Sequence, residues 1–201
     1  MGERQEYQPL TKEDKITVVL YRIGIVLSTV FIVVLAVLVA MAPPDTGAAS
    51  AGISFDILAY GLYASIGMSV FFIHLYIGKF KTFLKNLYFI GIGCLVLLLV
   101  AGKGDLSGAV VRESYGPLLL LPLAVCLGFV TAKEAFCFQL LEGYVLAMAM
   151  PLYLVLLSAG ALSQNGASSG LALIAILLVV FTLRKAFMPL AYDIGDKSAY
   201  Q

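Results

Sequence analysis

Long apolar stretches constrain this chain more than any other feature. Residues 23–42 form a run of 20 residues without a charge, which ends at Pro43-Pro44. A helix of about 20 residues crosses the hydrocarbon core of a bilayer. Thr11 and Asp14 have the spacing of a capping box, which favours a helix start just ahead of this run. We predict an all-α polytopic membrane helix bundle with six transmembrane helices, at residues 16–42, 51–77, 83–101, 116–136, 141–162 and 170–190.

The composition supports a membrane protein. The chain is 61% hydrophobic and 12% charged, whereas soluble domains carry about 25% charged residues. The net charge is +1 and the basic residues are dispersed, so no nucleic-acid partner is predicted. The three cysteines, Cys94, Cys126 and Cys137, form no CxxC pair. Neither a metal nor a cofactor is therefore predicted.

The distribution of Lys and Arg predicts the orientation. With six spans, eleven basic residues fall on one side and only Lys103 and Arg112 on the other. Because the cytoplasmic side keeps the excess of basic residues, both termini are predicted to be cytoplasmic, as tails at 1–15 and 191–201. The mixed acidic and basic N-terminal residues predict neither a cleavable signal nor a transit peptide.

The second predicted helix carries a polar stripe. Asp56, Tyr60, Tyr63 and His74 follow helical spacing and form a candidate polar path along one face. Asp56 and His74 lie five turns apart, about 27 Å, so each is expected near one membrane surface. The alternative, which we favour, is that both are ordinary interfacial residues in contact with water.

The same helix has small residues at every fourth position. Gly61, Ser65 and Ser69 match the small-xxx-small pattern that lets two membrane helices approach closely. We predict that this face packs against another helix.

A second candidate site lies at the inner end of the fourth predicted helix. Lys133, Glu134 and Cys137, with Glu142 at the start of the fifth helix, form a candidate inner-face cluster, in which Glu142 is the acidic partner nearest in sequence. The favoured alternative is an interfacial turn from which Lys133 reaches the cytoplasm. Arg22 is likewise interpreted as an interfacial anchor.

Three segments carry a resemblance to a known family. They are residues 7–11, 17–25 and 126–138, of which the Lys-Glu-Ala-Phe-Cys-Phe run at 133–138 is the most specific. The chain resembles an uncharacterised integral membrane protein family of cyanobacteria and plastids. This resemblance implies a bacterial inner, plasma or thylakoid membrane, and it brings no activity, substrate or site residue.

No catalytic signature such as HExxH, a P-loop or GxSxG occurs, so the chain is not expected to be an enzyme. Short loops and small-residue helix faces favour a non-enzymatic accessory or assembly protein of a photosynthetic-lineage membrane. Its expected partners are the lipid bilayer and other membrane proteins or a second copy. The alternative is a transporter or channel for a proton, an ion or a small solute.

Overall fold

The computed structural model describes residues 11–42, 52–75 and 77–194, and within them no strand occurs. The predicted outermost tail residues, 1–10 and 195–201, lie outside the described part. The helices are α1 (Lys12–Met41), α2 (Gly52–Phe72), α3 (Gly78–Ala101), α4 (Leu106–Arg112), α5 (Leu121–Phe138), α6 (Leu141–Ser158) and α7 (Gln164–Ala186). Two 3-10 turns, Pro117–Leu120 and Leu190–Asp193, precede α5 and follow α7.

Six of these segments are long and apolar enough to cross a membrane: α1, most of α2, α3, α5 with its preceding turn, α6 and α7. The predicted all-α bundle with six spans is confirmed. The capping box is also present, because the Thr11 hydroxyl accepts from the Asp14 amide and the Asp14 carboxylate accepts from the Thr11 amide.

Several helix ends differ from the predicted bounds. The second span ends at Phe72 instead of 77, so His74 lies in the link before α3. α7 begins at Gln164 instead of 170, because the Ser163 hydroxyl caps it by accepting from the Gly166 amide. Hydropathy alone places that start too late, since the first turns of α7 are polar.

The short helix α4 was not predicted. It begins after Asp105, whose carboxylate caps the Gly108 amide. Residues 106–110 are buried against the bundle, and Asp56 of α2 accepts a hydrogen bond from the Ser107 amide at 3.1 Å. The loop between the third and fourth spans is therefore folded onto the helices.

The spans surround a common interior. α1 packs between α2 and α7, α6 packs between α5 and α7, and α3 lies against α2 and α5. The α1–α2 contact is made by small residues. The Ser28 and Ser65 hydroxyls lie 2.8 Å apart, and a Cβ added at Gly24 would meet Ser69 and the backbone of Ser65.

Candidate functional site

Charged side chains fill the bundle interior at one end, which we call the basic end, where α1 begins and α5 and α7 end. The opposite end is the one that carries α4. The charged group, called the ionic cluster below, joins residues of three helices and the last 3-10 turn. Its members are Tyr21, Arg22, Lys133, Glu134, Lys185 and Asp193.

Glu134 is the centre of the ionic cluster and is fully buried. Its Oε1 accepts from the Tyr21 hydroxyl at 2.6 Å and from Lys133 Nζ at 2.7 Å. Its Oε2 forms an ion pair with Lys185, which is also buried. A carboxylate can be held inside a membrane bundle only when it is paired in this way.

The last described segment is tied to the same cluster. Asp193 forms an ion pair with Lys185 and accepts from Arg22 Nε at 2.6 Å. The Arg22 guanidinium also donates to the Met188 and Pro189 carbonyls, at 2.6 and 3.0 Å. Arg22 therefore binds the chain that leaves α7 by both its carboxylate and its backbone.

Hydroxyl groups and apolar side chains fill the middle of the bundle. The Thr29 and Thr182 hydroxyls lie 2.7 Å apart, between α1 and α7. Leu146 and Phe181 are fully buried at this level of the interior. These side chains lie between the ionic cluster and an internal space at the opposite end of the bundle.

That space is an apolar cavity of about 560 Å³. It is lined by α1, α2, α4, α5, α6 and α7, with aliphatic side chains such as Leu62, Leu127 and Leu171 forming its walls. Its volume lies within the range of about 300–1,000 Å³ that is typical of small-molecule sites. The cavity therefore has the size and the lining of a site for a largely apolar molecule.

Polar groups touch the apolar cavity at few points. Glu113, Ser114 and Gln164 line it at the opposite end, where all three are exposed, so the cavity opens there. Tyr63 lies deeper, and its buried hydroxyl has no hydrogen-bond partner among the described residues. The Tyr63 ring therefore forms part of the wall, while its hydroxyl lies behind the surface of the cavity.

The structure separates the four residues of the predicted polar path. Asp56 contacts α4 at the opposite end, Tyr60 is 43% exposed, and Tyr63 is 3% exposed. Between Tyr63 and His74 the ring of Tyr88 covers Gly67, and its hydroxyl donates to the Tyr63 carbonyl. The four side chains do not form one connected path through the described residues.

The predicted inner-face cluster is divided as well. Lys133 and Glu134 contact each other, although residues adjacent in sequence start on different faces of a helix. Glu142 instead accepts from Arg184 of α7, with both oxygens at 2.8 Å, and Cys137 is exposed. Gly61, Ser65 and Ser69 all pack against α1, through Phe31, Ser28 and Tyr21 respectively.

No sequence pattern indicated a site role for Tyr21, Lys185 or Asp193. Arg22 was predicted to be an interfacial anchor, whereas its side chain is only 12% exposed and is paired with Asp193. Basic residues at helix ends ordinarily reach the membrane surface, so no local pattern distinguishes these from solvated ones. Their pairing depends on contacts between positions up to 171 residues apart.

His74 lies at the basic end, in the link between α2 and α3. Its Nε2 is 3.2 Å from the Thr17 hydroxyl, and its Nδ1 is buried with no hydrogen-bond partner among the described residues. Burial lowers its pKa below the usual 6.5, and Lys133 and Lys81 lower it further, against smaller opposite effects of Asp193 and Asp14. The folded protein therefore favours the neutral imidazole.

This shift predicts a pH-dependent stability. Below about pH 6.5 the unfolded chain binds a proton at His74 that the folded chain does not bind, so the free energy of unfolding should fall with pH. We expect that loss to be smaller in His74→Gln, when thermal unfolding is followed by circular dichroism between about pH 8 and about pH 5. Equal losses in both proteins would contradict the assignment.

An all-helical bundle with six apolar spans and buried ion pairs at one end is a polytopic integral membrane protein. A family model described as an uncharacterized integral membrane protein, DUF2301, matches residues 68–201, and the chain belongs to this family. No curated protein and no solved structure matches the chain. The match includes the Lys-Glu-Ala-Phe-Cys-Phe segment on which the resemblance to an uncharacterised membrane family rested.

Proposed function

We propose that this protein is a non-enzymatic membrane carrier that takes an amphiphilic molecule into the apolar cavity. One observation carries the proposal: the cavity opens at the opposite end of the bundle and ends inside it, above the hydroxyl pairs and the ionic cluster. A cavity that is open at one end and sealed at the other is expected of one state of a carrier with alternating access. A continuous channel has no such seal.

The lining of the cavity supports the class of ligand. Its walls are mostly apolar, and the exposed polar residues Glu113, Ser114 and Gln164 lie at the rim. Ser168 and Tyr153 also line the cavity, and the Tyr153 hydroxyl is already paired with the Ala167 carbonyl. An inorganic ion would find no set of ligands there, whereas the chain of a lipid or fatty acid would contact the walls and place its polar group at the rim. The proposed ligand is therefore a small solute, but it is more apolar than the proton or ion that the sequence analysis also considered.

The charge distribution supports the direction. By the excess of Lys and Arg, the basic end faces the cytoplasm and the apolar cavity opens to the other side. The cyanobacterial or plastid origin and the photosynthetic-lineage membrane that the resemblance implies stay predictions.

One observation that favoured an accessory role no longer supports it. The small residues of α2 that suggested an external partner pack against α1 of the same chain. Binding to other membrane proteins or to a second copy stays a prediction.

Photolabelling tests binding to the cavity. The full chain is placed in phosphatidylcholine vesicles with a diazirine-bearing fatty acid, irradiated, and digested for mapping by mass spectrometry. We expect adducts on Leu62, Leu127 and Leu171. Ala59 lines the cavity, and Ala59→Phe should lower these adducts about tenfold, equivalent to about 1.4 kcal/mol, because the phenyl ring would occupy the space that the ligand enters.

Ala64 provides the matched control, since it lies on the exposed face of the same helix. Ala64→Phe should leave the cavity adducts unchanged. Adducts confined to lipid-facing residues would overturn the proposal.

Transport is measured separately, as protein-dependent movement of a fluorescent phosphatidylcholine or fatty acid between leaflets. Labelling of the cavity with no such movement would refute the carrier and leave a binding protein.

A further inference from the structure

The ionic cluster has an excess of positive charge. Its three cations, Arg22, Lys133 and Lys185, contact two carboxylates, Glu134 and Asp193, which leaves one net positive charge among these residues. Glu134, Lys185 and Asp193 are buried, and the side chains of Arg22 and Lys133 are only 12% and 10% exposed. An uncompensated charge in such a place is costly, so an additional anion would stabilise it.

Lys133 has N–H donors that no described residue uses in a hydrogen bond. Its ammonium group carries three N–H donors, and the described residues give it one hydrogen bond, to Glu134. It also lies 5.5 Å from the centre of the Tyr21 ring, an interaction that uses its charge without accepting a hydrogen bond. The group therefore has both the charge and the free donors that an oxyanion needs.

The surroundings add to the positive potential. His74 and Lys81 approach the basic end from the link after α2 and from the start of α3. Lys133 and Lys81 are the two charges that most strongly oppose protonation of His74. The Nδ1 atom of His74 has no hydrogen-bond partner among the described residues. The same place also has two carboxylates, Asp14 and Asp193, which act on His74 in the opposite sense and more weakly than the two lysines.

One of the two carboxylates of the ionic cluster, Asp193, comes from outside the membrane helices. Asp193 lies in the turn after α7, and its carboxylate bridges Arg22 of α1 and Lys185 of α7. It has two basic partners, in the manner of a bound oxyanion, but it belongs to a 3-10 turn instead of a membrane helix. Withdrawal of Asp193 would raise the net charge of the four charged residues that remain in the ionic cluster to two.

We propose that the basic end holds a binding site for an oxyanion of the phosphate class. Arg22, Lys133 and Lys185 supply its positive charge, and Asp193 is a built-in occupant that competes for Arg22 and Lys185. The anion could be free phosphate or the phosphomonoester headgroup of a lipid. The site is separate from the apolar cavity, so it does not depend on the proposed carrier function.

The test uses the full chain in phosphatidylcholine nanodiscs. Thermal unfolding is followed by circular dichroism while inorganic phosphate replaces chloride at constant ionic strength. A second series adds phosphatidic acid to the nanodiscs instead. We expect a rise in the melting temperature with at least one of the two anions, because a ligand that binds only the folded state stabilises it. The series that gives the rise identifies the source of the phosphate group.

Variants decide between a specific site and a general salt effect. Lys133→Gln should abolish the rise, and Lys103→Gln, at the opposite end, should leave it unchanged. Asp193→Asn should lower the anion concentration for half of the rise about tenfold, which corresponds to 1.4 kcal/mol. If Asp193→Asn fails to fold, the comparison of Lys133→Gln with Lys103→Gln still tests the site. No rise with either anion, or an equal rise in Lys133→Gln, would overturn the proposal.

Discussion

Replacement of Glu134 by glutamine should destabilise the bundle by about 3–5 kcal/mol, the usual cost of breaking a buried ion pair from one side. The glutamine side chain has almost the same shape, but it leaves Lys133 and Lys185 without the carboxylate that both contact. It also weakens the hydrogen bond from the Tyr21 hydroxyl. The measurement is the free energy of unfolding in mixed micelles titrated with sodium dodecyl sulfate.

Arg112→Gln is the control for this prediction. Arg112 pairs with Asp105 at the opposite end, where the two side chains are 69% and 43% exposed. Exposed pairs contribute little to stability, so this variant should unfold close to the wild type. A loss for Glu134→Gln no larger than that for Arg112→Gln would show that the ionic cluster is hydrated and contributes little.

A further variant separates charge from shape. When Lys133 and Lys185 are changed to Met together with Glu134→Gln, no uncompensated lysine remains. Such neutral replacements of buried ionic groups are often tolerated or even stabilising. We expect the triple variant to be more stable than Glu134→Gln alone. The opposite result would indicate that the lysines stabilise the bundle through packing of their aliphatic chains.

The number and type of the spans could be predicted because a membrane leaves the backbone few choices. Within the bilayer every amide and carbonyl must be paired inside the chain, so an apolar run such as residues 23–42 can only be a helix. The polar start of α7 was misplaced, since Gln164, Asn165 and Ser168 carry no hydropathy signal. Its cap, Ser163, is the first of four consecutive residues, 163–166, that are equally typical of a turn.

The ionic cluster could not be predicted from the same information. Sequence spacing shows that Lys133 and Glu134 start on different faces of α5, but the long lysine side chain reaches the carboxylate nevertheless. The pairing of Arg22 with Asp193 depends on the chain after α7 turning back toward α1. These contacts depend on tertiary packing, so the local periodicity of the sequence does not predict them.

The apolar cavity could not be predicted from the sequence either. Its walls are the ordinary Leu, Ile and Ala residues of six different elements, and such residues are expected on every face of a membrane helix. Only the positions of the helices in the structure show that the bundle encloses a space. The polar stripe of α2 drew attention to Tyr63, which does line that space, but for a reason unrelated to a path between Asp56 and His74.

Gly24→Ala should destabilise the protein by about 1–3 kcal/mol, the range found for overpacked cores. α1 and α2 are in such close contact that a Cβ at this position would lie 2.7 Å from the Ser65 carbonyl oxygen and 2.8 Å from the Ser69 amide nitrogen. Both are backbone atoms of a helix, so they cannot rotate away as a side chain would, and the two helices must separate. The separation would also lengthen the hydrogen bond between Ser28 and Ser65.

Gly93→Ala is the matched control for Gly24→Ala, since both glycines lie inside membrane-spanning helices. A Cβ at Gly93 would meet no heavy atom within 4 Å. Because glycine inside a helix costs about 0.5–1 kcal/mol relative to alanine, Gly93→Ala should be as stable as the wild type or more stable in the same detergent titration. A similar loss in the two variants would mean that the glycines act through helix flexibility. A loss in Gly24→Ala alone would assign the effect to the close contact of α1 with α2.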